Sequence, residues 1–516
     1  MNIVDVAQRN ARMFPDDIAF VEIRANSKTS SAVTWKQFHE RTNSLANALM
    51  GMGIKKGDRV FLLGKNSINW VEAFFSVIKT GAWVNPLNFR FTDENIGYCA
   101  AAAEPGCFIV DQEYAERMRV YRPNLPSVKH FISIGGTVAD DMRDMEQLIA
   151  ETPATPPPVE LKDEDECGLY FTSGTTGAPK PILMLHKNLF CAAVNEVTNL
   201  GQTKEDGLLM IPPMYHLAMG HLFGTMLAGA TTVLLTEAVT PGAIFDAMAR
   251  EKLRIAFLLV PWVLDILQTL DKGDLKKEDY DVSAWRIVQM GAQPIPTSLV
   301  RRWKAYFPAM DCHNTFGLSE SAGPGTIHNK IEDESTMGAI GKPGLLWDAR
   351  IVNDRDEDIP RGEVGEILVK GMGVMKEYYK NPELTARTIV NGWLHTGDLG
   401  RMDEKGFIYL VDRQKDLVIS GGENVFPAEV EEVIQKHPKV RDVAVIGTPH
   451  ERLGEVVTAV IEPVAEAGLT EEEMNLFCEQ NLPRYKRPRR IIFGAVPRSP
   501  TGKIEKPKLR ERYGAR

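Results

Sequence analysis

Cysteine is scarce and scattered along this chain. The six thiols (Cys99, Cys107, Cys167, Cys191, Cys312 and Cys478) include no Cys-x-x-Cys pair, so neither a zinc site nor a disulfide framework is signalled, and they read as buried, reduced thiols. Long apolar runs are missing as well. The longest, IAFLLVPWVL at residues 255–264, is interrupted by Pro261 and falls short of the roughly 18 residues a membrane span needs, so no integral membrane segment is expected. The opening MNIVDVAQRNARMF has neither an extended apolar stretch nor a small-residue cleavage site, which argues against a secretory signal and makes the cytoplasm the expected location. Basic residues do not predominate: the net charge of −9 argues against nucleic acid as a partner. No internal repeat is evident.

With 516 residues, 44% hydrophobic and 25% charged, the chain exceeds what one core usually organises, and two or more globular domains are expected. Between Arg59 and Pro86 an apolar strand, a helix-like stretch and a second apolar run form a βαβ unit. The alternation recurs in ATTVLLTEA, PGAIFDAMAREK and IAFLLVPWV, predicting an α/β fold with mainly parallel sheets. TPATPPPVELKDEDE at 152–166 is Pro-rich, then acidic, and reads as a surface connection. Texture changes again near Arg413. Beyond it Pro427 sits where helices start, Val430, Val433 and Ile434 recur at helical spacing, VRDVAVIG and EVVTAVIEP read as strands, and EEEMNLFCEQ reads as a helix. The predicted organisation is a large N-terminal domain over 1–413 and a small α+β domain over 414–516. Residues 484–516 carry twelve Lys or Arg against two acidic residues; this is a solvated basic tail, or a surface that meets phosphates.

The densest chemical signal is YFTSGTTGAPK, Tyr170 to Lys180. Small residues let the backbone approach a ligand, successive amides and the hydroxyls of Thr172, Ser173, Thr175 and Thr176 can donate to phosphate oxygens, and Lys180 adds a positive charge. A polyphosphate loop is therefore expected, against the alternative of a polar turn with no ligand. It is not the Walker loop, because the order Gly174, Gly177, Lys180, Pro181 lacks the Gly-Lys-Ser/Thr ending. Pro181 also removes one backbone donor.

This string resembles the signature of the adenylate-forming superfamily, in its acyl-CoA synthetase and aryl-CoA ligase branch. Other motifs follow in the family's order: GAWVNPLNFR (Gly81 to Arg90), NTFGLSE (Asn314 to Glu320), GWLHTGDLG (Gly392 to Gly400), DRQKDLVISGGENVFPAEVE (Asp412 to Glu431) and PRSPTGKI (Pro497 to Ile504). The resemblance spans nearly the whole chain. It implies a large multi-sheet adenylation domain, a mobile C-terminal domain, and ATP, Mg2+ and coenzyme A as co-reactants. Glu320 is then the metal ligand and, with Lys180 and Lys503, a catalytic residue. Lys503 is expected to bridge the carboxylate and the α-phosphate, for which a point charge on a flexible stem is suited. ATP or AMP is expected at Thr172, Ser173, Gly174, Thr175, Thr176, Gly177 and Lys180, along Gly291, Ala292 and Gln293, and at Asn314, Thr315, Phe316 and Ser319. Asp398 would accept the ribose hydroxyls, and Arg413 would touch ribose or phosphate.

The same resemblance makes His216 a gate to an acyl pocket with Met219, Val260, Met290 and Gly317, although for each apolar residue core packing is the competing role. Gly317 stands where acetate specialists carry a Trp, which predicts a deeper pocket. Lys415 is the expected hinge. Gly421 and Gly422 would line a pantetheine tunnel, Tyr485 would stack on the CoA adenine, and Arg487 and Arg489 would pair with its phosphates. The expected reaction is ATP-dependent ligation of a medium-sized alkyl or aryl carboxylate to CoA through acyl-AMP. Loading of a carrier protein's pantetheine arm is the alternative. A luciferase-like oxygenase and a nucleotide-binding regulator without catalysis are further readings, and a homodimer is allowed for.

Overall fold

The computed structural model describes residues 1–136, 141–172, 179–216, 219–291, 295–420, 423–465, 467–498 and 504–514. Its centre is a nine-stranded sheet. The order runs Lys342–Pro343, Thr326–Asn329, Asp311–Phe316, Ile287–Gly291, Ile255–Leu259, Leu208–Met210, Thr232–Thr236, Ile18–Arg24, Thr29–Thr34. From Asp311–Phe316 through to Ile18–Arg24 the strands pair in parallel. They are covered on both faces, which is why they read as continuous apolar runs with no alternation. The two strands expected from ATTVLLTEA and IAFLLVPWV both form, but Leu208–Met210 lies between them. Residues 255–264 divide into the strand Ile255–Leu259 and the helix Val260–Lys272, with Pro261 in its first turn, where its missing N–H costs nothing.

A second sheet of eight strands contains the expected βαβ unit. Arg59–Leu63 and Trp83–Leu87 pair in parallel through the helix Ile68–Lys79, whose first turn is capped by Ser67 Oγ accepting from Trp70 N at 3.0 Å. Between the two sheets Phe38 packs on Phe20 and Phe75, and Phe74 on Phe223. A third sheet is built on Gly365–Gly371 and Trp393–Met402, with Ile408–Arg413 along its edge. Its Ile351, Ile367 and Leu394 join the same apolar core. All six cysteines are buried and unpaired, as expected.

A fourth sheet begins at Val418–Ser420 and has its own core of Val418, Val430, Val445, Val457 and Met474. The helix Pro427–Ile434, the antiparallel pair Val440–His450 and Gly454–Pro463, and the helix Glu471–Asn481 stand where the sequence places them. Among the described residues no helix is long and apolar enough to cross a membrane.

Candidate active site

The first and third motifs meet through a residue outside both. Thr172 ends one strand and Lys180 opens the next, and the two residues pair across an antiparallel ladder. The strand with Lys180 also pairs with Glu377–Tyr378. Pro181 fits there because its carbonyl accepts from Tyr379 N at 2.9 Å while no N–H is required of it. Lys180 Nζ lies 5.6 Å from the Tyr378 ring centroid, within cation–π range. The Tyr378 hydroxyl donates to Glu320 Oε1 at 2.8 Å. Burial and the Glu320 carboxylate push the phenol pKa well up, so it remains a donor. Glu320 sits in the short 3-10 turn Ser319–Ser321, and its carbonyl accepts from Met375 N at 2.8 Å. Sequence reasoning missed Tyr378; its only local signal is the aromatic pair in MKEYYKNPE.

Asp398 and Arg413 face each other on paired strands, with Arg413 Nε 2.9 Å from Asp398 Oδ1. Asp398 is 1% exposed, and the guanidinium gives this buried carboxyl group a partner of opposite charge. The structure thus gives Arg413 a first partner other than ribose or phosphate. Its strand runs into the 3-10 turn Gln414–Asp416, where burial, and then the neighbouring Arg413, lower the Lys415 pKa. Asp416 accepts from Arg510 at 2.7 Å. Asp412 accepts from Ala428 N at 2.9 Å, in the first turn of Pro427–Ile434, and burial raises its pKa to about 6.

Around the expected acyl pocket, Asn66 Nδ2 donates to the carbonyls of Ile211 and Pro212 and its Oδ1 accepts from Met214 N, fixing the segment that carries His216. The His216 ring lies 4.4 Å from that of Tyr215, and Met219 is buried at the start of the helix Met219–Ala228. Three expectations are corrected. Met290 and Val260 pack with Leu258, Val288 and Cys312 in the apolar core of one face of the nine-stranded sheet, while Phe257, Leu259 and Ile287 pack on the other. Gly291 belongs with the second group, because a Cβ there would meet Thr315 Oγ1 at 3.0 Å and the Phe257 ring at 3.5 Å. Alternation along a strand therefore turns Met290 away from it. Gly317 leaves no vacancy either. A Cβ on it would lie 1.9 Å from the Gly323 carbonyl oxygen, so close approach of backbone demands the glycine.

Asn314 donates to the Ala339 carbonyl at 3.5 Å, and Phe316 packs partly buried against the core. In the fourth sheet's domain Tyr485 is 45% exposed and Arg489 is exposed. Arg487 is corrected: it donates to the carbonyls of Leu482 and Glu479 and pairs with Glu479, capping the end of the preceding helix instead of awaiting a phosphate. Ser173, Gly174, Thr175, Thr176, Gly177, Ala292, Gln293, Gly421, Gly422 and Lys503 lie outside the described residues.

A cation of the glycine-rich motif and a carboxylate of the Asn-Thr-Phe motif thus stand at strand ends, where open α/β sheets bind ligands, and a buried carboxylate–guanidinium pair stands on the third sheet. Residues 7–379 match the AMP-binding enzyme family and residues 429–503 the AMP-binding enzyme C-terminal domain. The chain belongs to the AMP-binding enzyme family, in the acyl-CoA and aryl-CoA ligase branch of the adenylate-forming superfamily. It is 31% identical over 519 residues to a long-chain-fatty-acid–CoA ligase of Mycobacterium tuberculosis, covering 100% of this chain and 99% of the relative. It is 31% identical to a feruloyl-CoA synthase of an Amycolatopsis species, covering 98% of each. Its fold is similar to that of an anthranilate CoA ligase solved with anthranoyl-AMP, at a TM-score of 0.89 and 27% identity, covering 99% of this chain and 97% of that one.

Proposed function

We propose that the chain is an AMP-forming acid–CoA ligase acting on a medium-sized alkyl or aryl carboxylic acid in the cytoplasm. A carboxylate oxygen attacks the α-phosphorus of ATP, the bond to the β-phosphate bridging oxygen breaks, and pyrophosphate leaves. The CoA sulfur, having lost its proton, then attacks the acyl carbon, and AMP departs with the oxygen that came from the acid. The observation that carries this reading is the Lys180–Tyr378–Glu320 cluster, which sets a cation and a carboxylate at one strand edge.

Lys180 would meet the phosphates and Lys503 the carboxylate and α-phosphate, drawing two anions together. Asp398 offers acceptor oxygens suited to ribose hydroxyls, and Arg413 pairs with it. Glu320 is an acceptor-only group oriented by Tyr378. One carboxylate together with substrate phosphates and water is an ordinary Mg2+ environment, so the residues fit that ion, and Glu320 would hold it. When bound, it would neutralise phosphate charge. Residues 1–413 would hold nucleotide and acid, and residues 414–516, turning at Lys415, would present Lys503 for the first step and the Gly421–Gly422 segment with Tyr485 and Arg489 for the second. Free CoA is favoured over a carrier protein as acceptor by Tyr485 and Arg489, both open to solvent for a nucleotide.

The test is AMP release with Mg-ATP across acetate, butyrate, hexanoate, octanoate, benzoate and cyclohexane carboxylate, with and without CoA. CoA-dependent turnover that peaks on a mid-sized acid is expected. AMP formation indifferent to CoA would favour a carrier protein, and silence throughout would contradict the reading.

A further inference from the structure

Two residues inward from Gly291 along the same strand face stands a buried polar cluster that the chemistry above does not use. Glu196 on the helix His186–Leu200 is 1% exposed, His221 on Met219–Ala228 is 3% exposed, and Gln289 on Ile287–Gly291 is fully buried. His221 Nδ1 and Glu196 Oε1 are 2.7 Å apart, and Gln289 Nε2 donates to Glu196 Oε2 at 3.3 Å. The His221 ring packs at a tilt against Phe257, with centroids 4.1 Å apart.

Gln289 turns its NH2 group to the Glu196 carboxyl oxygen, which accepts from it, and its carbonyl oxygen then points the other way. That Oε1 is buried with no hydrogen-bond partner, as is Nδ1 of His313, the residue paired with Gln289 on the neighbouring strand. Burial lowers the His313 pKa to about 4, leaving a neutral ring. A buried amide oxygen left without a donor is destabilising. The arrangement therefore lacks one O–H or N–H donor at a defined place. A positive donor is not called for, since Glu196 already has His221 and the Gln289 amide.

We infer that this cluster is the far end of the acid pocket, and that the natural acid carries a hydroxyl there which donates to Gln289 Oε1. This rests on the ligase reading, which places the carboxylate at the C-terminal ends of these strands, by Gly291. Two residues of strand span about 7 Å, close to the length of a benzene ring with a hydroxyl at its far corner. A hydroxyl also has lone pairs for a donor such as an imidazole N–H, which a methoxy group cannot balance with donation of its own.

The experiment compares kcat/KM of the wild-type enzyme, by CoA-dependent AMP release, on benzoate, para-hydroxybenzoate and para-methoxybenzoate, and on cinnamate with its para-hydroxy and para-methoxy forms. In at least one series the hydroxy acid should exceed both analogues by about tenfold or more. In Gln289→Met, similar in volume but with no carbonyl, that ratio should fall toward one. Turnover with equal or reversed preference in both series would overturn the inference while leaving the ligase reading intact, as would a preference that survives Gln289→Met. Should that variant not fold, the wild-type comparison decides alone. Silence with every acid would overturn both.

Discussion

At the residue scale, Tyr378 links two motifs that sequence alone kept apart. Its hydroxyl satisfies one oxygen of Glu320 while its ring faces Lys180. Tyr378→Phe keeps the ring and removes the donor. The account expects the fold to persist, ATP–pyrophosphate exchange to slow by about tenfold, and half-saturation to need more Mg2+; an unchanged Mg2+ dependence would contradict a role through Glu320. Lys79 gives a prediction of another kind. It is 3% exposed, donates to Thr42 Oγ1 and Asn43 Oδ1 at 2.7 Å each, and faces His39, whose pKa burial and then Lys79 lower to about 4. Burial lowers Lys79 itself to about 7. An unfolded lysine titrates near 10.4, so between those values the unfolded chain binds more protons, and stability should rise with pH. The melting temperature of the wild type relative to Lys79→Met should climb from pH 7 to pH 9, by the equivalent of roughly 2 kcal/mol. A flat or falling difference would contradict the assignment.

At the scale of elements, the turn Gln414–Asp416 is where the third sheet ends and the fourth begins. A proline at 415 suits this turn, because a 3-10 conformation already has φ near the value the ring imposes. It opposes any pose in which that φ changes. Lys415→Pro should therefore spare acyl-adenylate formation and slow transfer to CoA. Lys503→Ala should split the reactions the other way, losing adenylation while keeping most thioester formation from supplied acyl-adenylate. Equal effects of either substitution on both half-reactions would contradict the hinge. The helices and strands themselves were largely legible, since Ile68–Lys79, Pro427–Ile434 and Glu471–Asn481 have local causes: a cap at Ser67, a proline in the first turn, and a capping Thr470 that accepts from Glu473 N. Strand neighbours were not legible. Nothing local to Leu208–Met210 says that it enters between Thr232–Thr236 and Ile255–Leu259.

At the scale of the whole molecule, motif order revealed the family and the two-part organisation, and composition correctly excluded a disulfide framework. The finer site was less readable, because pocket walls depend on which face of a strand a residue occupies and on where distant backbone passes. Met290 was misplaced for the first reason and Gly317 for the second; Arg487 was claimed by its own helix end. Gln289 escaped notice because its importance lies in a partner ninety-three residues away, Glu196.

The central claim is that an acid oxygen passes to AMP. The direct measurement is isotopic: supply the acid with its carboxylate oxygens replaced by heavy oxygen, run the reaction with Mg-ATP and CoA, and weigh the products by mass spectrometry. The account predicts one heavy oxygen in AMP, none in pyrophosphate, and a thioester retaining the other. Label in inorganic phosphate beside ADP, or unlabelled AMP, would contradict an acyl-adenylate route.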